Sequence, residues 1–267
     1  MKFSKYFVLT KAGIKETLDY KLSLYVTFFG NIIYLIITYY LWIAIFSSVD
    51  SDVIKGMTQN STIAYVVLAA TIGNCLEVYV VWDIGRSIQS GQIITDILKP
   101  MKYKTYMFYM ISGKIIIKFL SNFLPVFAII YFITDRFINI GLNSLFFLIS
   151  FIFGSIINYY LNFIIGTICL YTESIWGINI MKTVVISLLS GMTIPLSFFP
   201  HPLDKIALYL PFQAVCNTPL NILLDMSNDV KKYLISIAFQ LLWIVLLKLF
   251  TDLFWNKSVK VITVNGG

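Results

Sequence analysis

The sequence predicts an all-α polytopic membrane protein with six transmembrane helices. Three observations carry this. First, 58% of the 267 residues are hydrophobic and only 12% are charged, whereas soluble domains hold roughly 45–50% and about 25%. Second, apolar runs of about 20 residues, the helical length that crosses a bilayer, recur along the chain. Third, Lys and Arg collect at alternate ends of those runs. The net charge of +7 forms no soluble basic face, so no nucleic-acid partner is predicted. In a membrane protein such an excess reports which loops face the cytoplasm.

Residues 3–18 come first. Phe3, Tyr6, Phe7, Thr10, Ile14 and Leu18 share one face at helical spacing, while Lys2, Lys5, Ala12, Lys15 and Glu16 lie away from it. This predicts a basic amphipathic helix in the headgroup plane over residues 1–21; a helix packed on the protein is the other reading. The charges among residues 1–21 and the long apolar run after them do not fit a cleavable signal peptide.

Six spans are predicted: Leu22–Phe46, Thr62–Trp82, Tyr106–Phe132, Asn143–Tyr171, Ile178–Phe199 and Tyr233–Phe254. An even number puts both termini on one side. The N-terminal segment, the loop 83–105 and the tail 255–267 with Lys248 before it hold twelve Lys and Arg; the opposite loops hold five (Lys55, Arg136, Lys205, Lys231 and Lys232). Both termini are therefore expected inside, in a single transmembrane domain spanning 1–267.

The segment 200–222 is apolar but is not predicted to cross. Five of the seven prolines fall between Pro195 and Pro219, and Asp204 and Lys205 would have to be carried through. Proline removes a helix donor and clashes with the preceding turn, and lipid offers no water for the freed carbonyl. A re-entrant pair of short outer helices turning at Pro211 is expected instead, with Pro200, His201, Pro202, Pro211 and Phe212 forming an outer cap.

No catalytic chemistry is legible. The phosphate-cradling GxxxxGK[ST] pattern, GxGxxG, HExxH and paired zinc-ligand spacings are absent. The sole histidine, His201, lies between two prolines, and the three cysteines, Cys75, Cys169 and Cys216, are scattered singly, which predicts buried small hydrophobes rather than a disulfide framework or metal site. No enzyme activity, metal or cofactor is expected in this chain. The loop 83–105 is too short for a catalytic domain, so any such machinery must belong to another chain.

The stretch WDIGRSIQSGQIITDILKPMKYKTY (82–106) resembles the first cytoplasmic loop of bacterial ABC transporter permeases of the type-2 exporter class. The similarity rests on Ile88-Gln89-Ser90-Gly91 and Asp96-Ile97-Leu98-Lys99-Pro100. A second segment, Ser190-Gly191 through Ile194–Pro200 and Leu210–Ala214, is similar to the same family, as are the amphipathic N-terminus and the Val-Asn-Gly-Gly end. Gln89 departs from the pattern, which has a basic residue there, with Arg86 a turn earlier. The resemblance implies a permease subunit that dimerises with a second copy or a paralogue among membrane lipids of the bacterial cytoplasmic membrane. It also implies docking of a separate cytoplasmic ATPase, which would bind ATP and Mg, through a coupling helix within Asp83–Leu98. The contact residues it implies are Asp83, Arg86, Gln89, Ser90, Gly91, Ile94, Asp96 and Leu98, with Glu173 and Trp176 from the next inner loop. Ser90-Gly91 allows a turn, and Ile93, Ile94, Ile97 and Leu98 supply an apolar face that could fit a groove and transmit a rigid-body push. An ordinary solvated amphipathic helix is the alternative.

Charges inside the spans point to a pathway. Glu77 lies about one and a half turns from the inner end of its span. Lys114 and Lys118, spaced i,i+4, lie within the next one. Intramembrane charges are costly and face the bundle interior or a pathway. An inner-mouth pair between Glu77 and one of these lysines is expected, with snorkelling of Lys114 as the alternative. Asn31, Asn74, Asn122, Asn158 and Asn162 are expected to make interhelical hydrogen bonds. Two other functions remain open: a non-catalytic membrane scaffold or immunity-type binding protein, and, with less support, a secondary transporter. The second would favour paired broken helices near the midplane, and the breaks here cluster in one outer segment. The aromatic spans suit a lipid, peptide or amphipathic drug as cargo, and plain lipid contact equally.

Overall fold

The computed structural model describes residues 2–49, 53–134, 138, 140–172 and 174–261. Glu173, Arg136 and the Val-Asn-Gly-Gly end lie outside the described residues. The chain is almost entirely helical: α1 Lys2–Asp19, α2 Lys21–Ser48, α3 Gln59–Leu76, α4 Val80–Gln89, α5 Gln92–Ile97, α6 Tyr103–Lys118, α7 Leu124–Ile133, α8 Leu142–Ile168, α9 Ile175–Leu189, α10 Leu203–Tyr209, α11 Asn217–Leu223 and α12 Val230–Ser258. A two-residue hairpin, Val53–Ile54 with Met57–Thr58, joins α2 to α3. The Thr58 hydroxyl then caps α3, accepting from the Ser61 amide at 3.3 Å.

Among the described residues, five helical stretches are long and apolar enough to cross a membrane: Lys21–Ser48, Gln59–Gln89, Tyr103–Ile133, Leu142–Ile168 and Val230–Val261. The sixth predicted span is present as a shorter apolar helix with different bounds. Its helix is Ile175–Leu189 rather than Ile178–Phe199, about 22 Å long at 1.5 Å per residue, short of the roughly 30 Å hydrocarbon core. Irregular backbone follows, buried at Ser190, Gly191, Pro195 and Leu196 and exposed at Thr193 and Ile194. Ser190 is fully buried, and its carbonyl accepts the Asn217 amide at 3.1 Å.

Helices α3 and α8 form the centre. α3 is buried along most of its length, while α2 and α12 expose most of theirs. Leu22, Ile37, Ile235 and Leu253 are more than half exposed, as lipid-facing positions are and as a water-soluble surface of this extent is not. The stretch α6–α7 runs as one helix through a π-helical turn, Phe119–Phe123. Pro125, in the first turn of α7, explains it: its ring would strike the carbonyl four residues back in a regular helix, and the wider π turn makes room. That turn also fans Phe119 and Phe123 onto Phe147 and Phe151 of α8, with centroids 4.7–6.5 Å apart.

Helix α1 lies along α6. The contact face differs from the predicted one. Gly13 is buried, and Tyr6, Thr10 and Ile14 are partly so; Phe7 (71%) and Leu18 (44%) stay exposed. The crossing is set by two glycines. A Cβ on Gly13 would sit 2.0 Å from the Met110 carbonyl oxygen, and one on Gly113 would sit 2.2 Å from that of Thr10. Tyr6 stacks on Tyr109 at 4.7 Å, and Lys114 Nζ pairs with Glu16 Oε1 at 2.6 Å.

The segment 200–222 holds two seven-residue helices, α10 and α11, each about 10 Å long and too short to cross. They differ in setting. Gln213–Leu220 is buried without a gap, whereas α10 exposes Leu203, Ile206 and Tyr209. Pro211 turns the chain, its carbonyl accepting from Ala214 N at 3.2 Å. Gln240 of α12 fastens the turn: its Nε2 donates to the carbonyls of Ala214 (2.8 Å) and Ser150 (3.1 Å), and its Oε1 accepts from Ser150 Oγ. The Tyr65 hydroxyl adds a 3.0 Å bond to Asn217 Oδ1.

Between α11 and α12, Asp225 accepts from Ser227 Oγ, Lys232 Nζ and Tyr233 Oη at 2.6–3.0 Å. Burial alone would raise its pKa, but these bonds hold the carboxyl at about 2. A lowered folded-state value contributes stability that is full above the ordinary carboxylate pKa of ~4 and is lost as pH falls through about 2. Asp225→Asn is therefore expected to destabilise by about 1 kcal/mol at neutral pH. In unfolding experiments its difference from wild type should vanish between roughly pH 4 and pH 2; a difference independent of pH would show that the charge contributes nothing.

Candidate functional site

The predicted second span is interrupted. α3 stops at Leu76, and Glu77 is extended at φ −68°, ψ 97°. α4 restarts at Val80. A helix that ends at this depth leaves carbonyls without partners, and side chains from two other helices supply the donors. Lys118 Nζ donates to the carbonyls of Asn74 (3.2 Å) and Glu77 (2.8 Å). Asn158 Nδ2 donates to that of Leu76 at 2.8 Å. A cation suits the negative end of a helix. The expected inner-mouth pair is thus corrected: Lys118 is held by backbone oxygens and Lys114 by Glu16, so neither bonds the Glu77 carboxylate.

Beside the break lies a cavity of about 630 Å³ between α2, α3, α8 and α9. Its polar lining includes Asn31, Asn74, Glu77, Asn158, Asn162 and Lys182. Asn74 Nδ2 donates to Asn31 Oδ1. Lys182, only 8% exposed, donates to Asn162 Oδ1 at 3.0 Å, and Asn162 Nδ2 donates to the Asn158 carbonyl at 2.8 Å. A smaller cavity of about 300 Å³ shares Thr27, Asn74 and Glu77 with it and reaches Lys114 and Lys118. The asparagines thus do more than tie helices together. Lys182 is the cation of the larger cavity; its place in an otherwise apolar helix is the signal in the sequence.

At the end of the bundle carrying the 83–105 loop, α4 and α5 meet at Ser90-Gly91, with Gly91 at φ +71°, a left-handed conformation that favours glycine. Asp83, Arg86, Gln89 and Ser90 are exposed, and Arg86 lies over the Trp82 ring at 5.4 Å. The other side of α4 is anchored by Val81, packed with Cys169 and Ile175. Two expectations change here. Asp96 is buried, accepting from Ser87 Oγ at 3.0 Å and from Lys99 Nζ at 2.7 Å. It staples α5 to α4, and its hydrogen bond raises the Lys99 pKa. The apolar face of α5 also turns inward: Ile93 is buried, and Ile94 and Ile97 pack on the core. Leu98, 78% exposed, is the apolar residue presented outward, with Trp176 (68%) exposed at the start of α9.

A family model described as ABC-2 family transporter protein matches residues 32–266, which takes in most of the cavity lining, the loop 83–105 and the proline-rich turn. The chain belongs to the ABC-2 transporter family. Among curated proteins no match was found. As an ABC-2 family transporter protein it is a multi-pass membrane subunit, and the helices long enough to cross fit that assignment. In this ABC-2 family protein the residues expected to form a cap fall in two settings. Pro211 is buried and Phe212 partly so, while Pro200, His201 and Pro202 are exposed. His201 Nδ1 lies 2.8 Å from Asp204 Oδ1. Among the described residues no group of three or more His, Cys, Asp or Glu could hold a metal ion.

Proposed function

We propose that this chain is the transmembrane permease of an ATP-driven exporter. It pairs with a second permease copy or paralogue, and a separate cytoplasmic ATPase supplies ATP and Mg chemistry. Both termini and the α4–α5 loop face the cytoplasm, and the cargo is a lipid, peptide or amphipathic drug moved outward. The observation that carries the coupling is the asymmetry of the α4–α5 unit. Its inner face is packed on α8 and α9, so it moves with them. Its outer face presents Asp83, Arg86, Gln89 and the exposed apolar Leu98, with Trp176 exposed at the start of neighbouring α9. A docked ATPase pushing this surface would shift the helices that wall the cavity. Rigid-body motion of this kind is a common form of coupling.

Co-purification with candidate ATPases and measurement of ATP turnover test this. Leu98→Asp combined with Trp176→Ala is expected to reduce association about a hundredfold, the effect of losing two hot-spot contacts, and the fold should be unchanged because both side chains are exposed. Association with no ATPase, or undiminished association by the double variant, would sink the exporter reading and favour a non-catalytic scaffold.

A further inference from the structure

The larger cavity is lined by two opposite charges, Glu77 and Lys182, that the protein does not join in a salt bridge. Lys182 makes one hydrogen bond, to Asn162 Oδ1, and an ammonium has three donors. Among the described residues no carboxylate lies within 4.0 Å of it, and no cation lies within 4.0 Å of the Glu77 carboxylate. The two lysines nearest in sequence to such a role are engaged elsewhere, Lys114 with Glu16 and Lys118 with backbone carbonyls. A third group is also open. Asn31 is 5% exposed and its Nδ2 has no hydrogen-bond partner, although the same side chain accepts from Asn74. Asn31 lines the cavity with Glu77 and Lys182. Buried donors without partners are uncommon and costly, as are intramembrane charges.

We propose that this cavity binds a zwitterionic amphiphile carrying a primary ammonium and an oxyanion, the oxyanion toward Lys182 and Asn31 and the ammonium toward Glu77. The inference rests on the transport reading in taking the cavity as part of the cargo path. The chemistry narrows the ligand. Two donors and one carboxylate ask for one acceptor group and one cationic group in the same molecule. A quaternary ammonium is recognised by a cage of aromatic rings, and Tyr34 is the one aromatic residue among those lining the cavity. The carboxylate therefore favours an ammonium that can donate hydrogen bonds. Leu76, Ile186 and Met192 supply apolar wall. The volume of about 630 Å³ is in the usual range for an organic ligand. The flanking helices α2 and α9 expose apolar residues, Ile33 at 59% and Val184 at 57%. A lipid with a phosphoethanolamine headgroup could thus reach the cavity from the bilayer, and a free zwitterion is the other source of the same chemistry.

The test uses the full chain in detergent, exchanged with equal amounts of dioleoyl phosphatidylethanolamine, phosphatidylglycerol and phosphatidylcholine, with retained lipid counted by native mass spectrometry. Phosphatidylethanolamine should be retained about fivefold or more over the other two. Lys182→Met should lower its retention about tenfold, the scale of one charged hydrogen bond. Glu77→Gln should abolish the preference over phosphatidylglycerol. Asn31→Leu should weaken retention several-fold. The reversed pair, Glu77→Lys with Lys182→Glu, should recover the preference that each single change loses, which a fold defect would not do. Competition by O-phosphoethanolamine would show that the headgroup chemistry suffices; retention unaffected by it would place the acyl chains in the ligand. Equal retention of the three lipids, or a preference intact in both Glu77→Gln and Lys182→Met, would overturn the proposal. The readout needs no ATPase. Loss of selectivity with coupling intact defeats this inference alone, and selective retention with no ATPase association defeats only the exporter reading.

Discussion

Lys118→Met is expected to destabilise the protein by about 2 kcal/mol, because two carbonyls at the broken helix end, one part-buried and one exposed, each lose a charged donor. These are the Asn74 and Glu77 oxygens at the end of α3. Methionine keeps the apolar stem and much of the volume, so packing is nearly conserved and the cost falls on the break itself. Lys118→Arg keeps a cation with several donors and should recover most of the loss. Unfolding in mild detergent measures the stability. A second readout separates the break from general damage: in Lys118→Met the backbone amides of 77–81 should exchange hydrogen faster than those at the start of α3. If Lys118→Met unfolds with the wild type, the break is held by something other than this lysine.

Gly113→Val is expected to detach α1 from α6. An added Cβ would lie 2.2 Å from the Thr10 carbonyl oxygen and 2.9 Å from the Ile14 amide nitrogen. Both are backbone atoms, so no rotamer change relieves the clash. Separating the helices would also remove the Tyr6–Tyr109 stack and the Lys114–Glu16 pair. The local loss should reach about 3 kcal/mol. Thr10 Oγ1 and Ser112 Oγ lie 3.5 Å apart, so Thr10→Cys with Ser112→Cys offers a proximity probe. Cross-linking should be efficient on the wild-type background and drop about a hundredfold with Gly113→Val, as a shift of this energy predicts. Unchanged cross-linking would mean that α1 is held some other way.

Much of the fold was legible because the bilayer imposes simple demands. A segment that crosses must be apolar over a set length, and the runs in this chain meet that demand where α2, α6–α7, α8 and α12 lie. Prolines between 195 and 219 forbade a regular helix, and two seven-residue helices stand there. The turn at Ser90-Gly91 was readable from glycine alone. Other features were not. The residues 77–79 contain neither Gly nor Pro, so nothing local announces that α3 ends. The apolar residues of α5 showed a face but not its direction. Leu98 points out and Ile93 points in because Asp96 ties α5 to Ser87. Lys118 was visible as an intramembrane charge and Lys182 stands in an apolar run, yet their partners lie 41 and 20 residues away, beyond any periodicity argument.

The sequence by itself determined the medium, the helical class, the turn at Gly91 and the refusal of 200–222 to cross, because composition, length and proline act locally. Only the tertiary structure decided where α3 breaks, which face α1 buries and which polar groups share the cavity. Each of those depends on a donor, an acceptor or a missing Cβ brought from a distant helix, and the energy of such a contact exists only once the helices have packed.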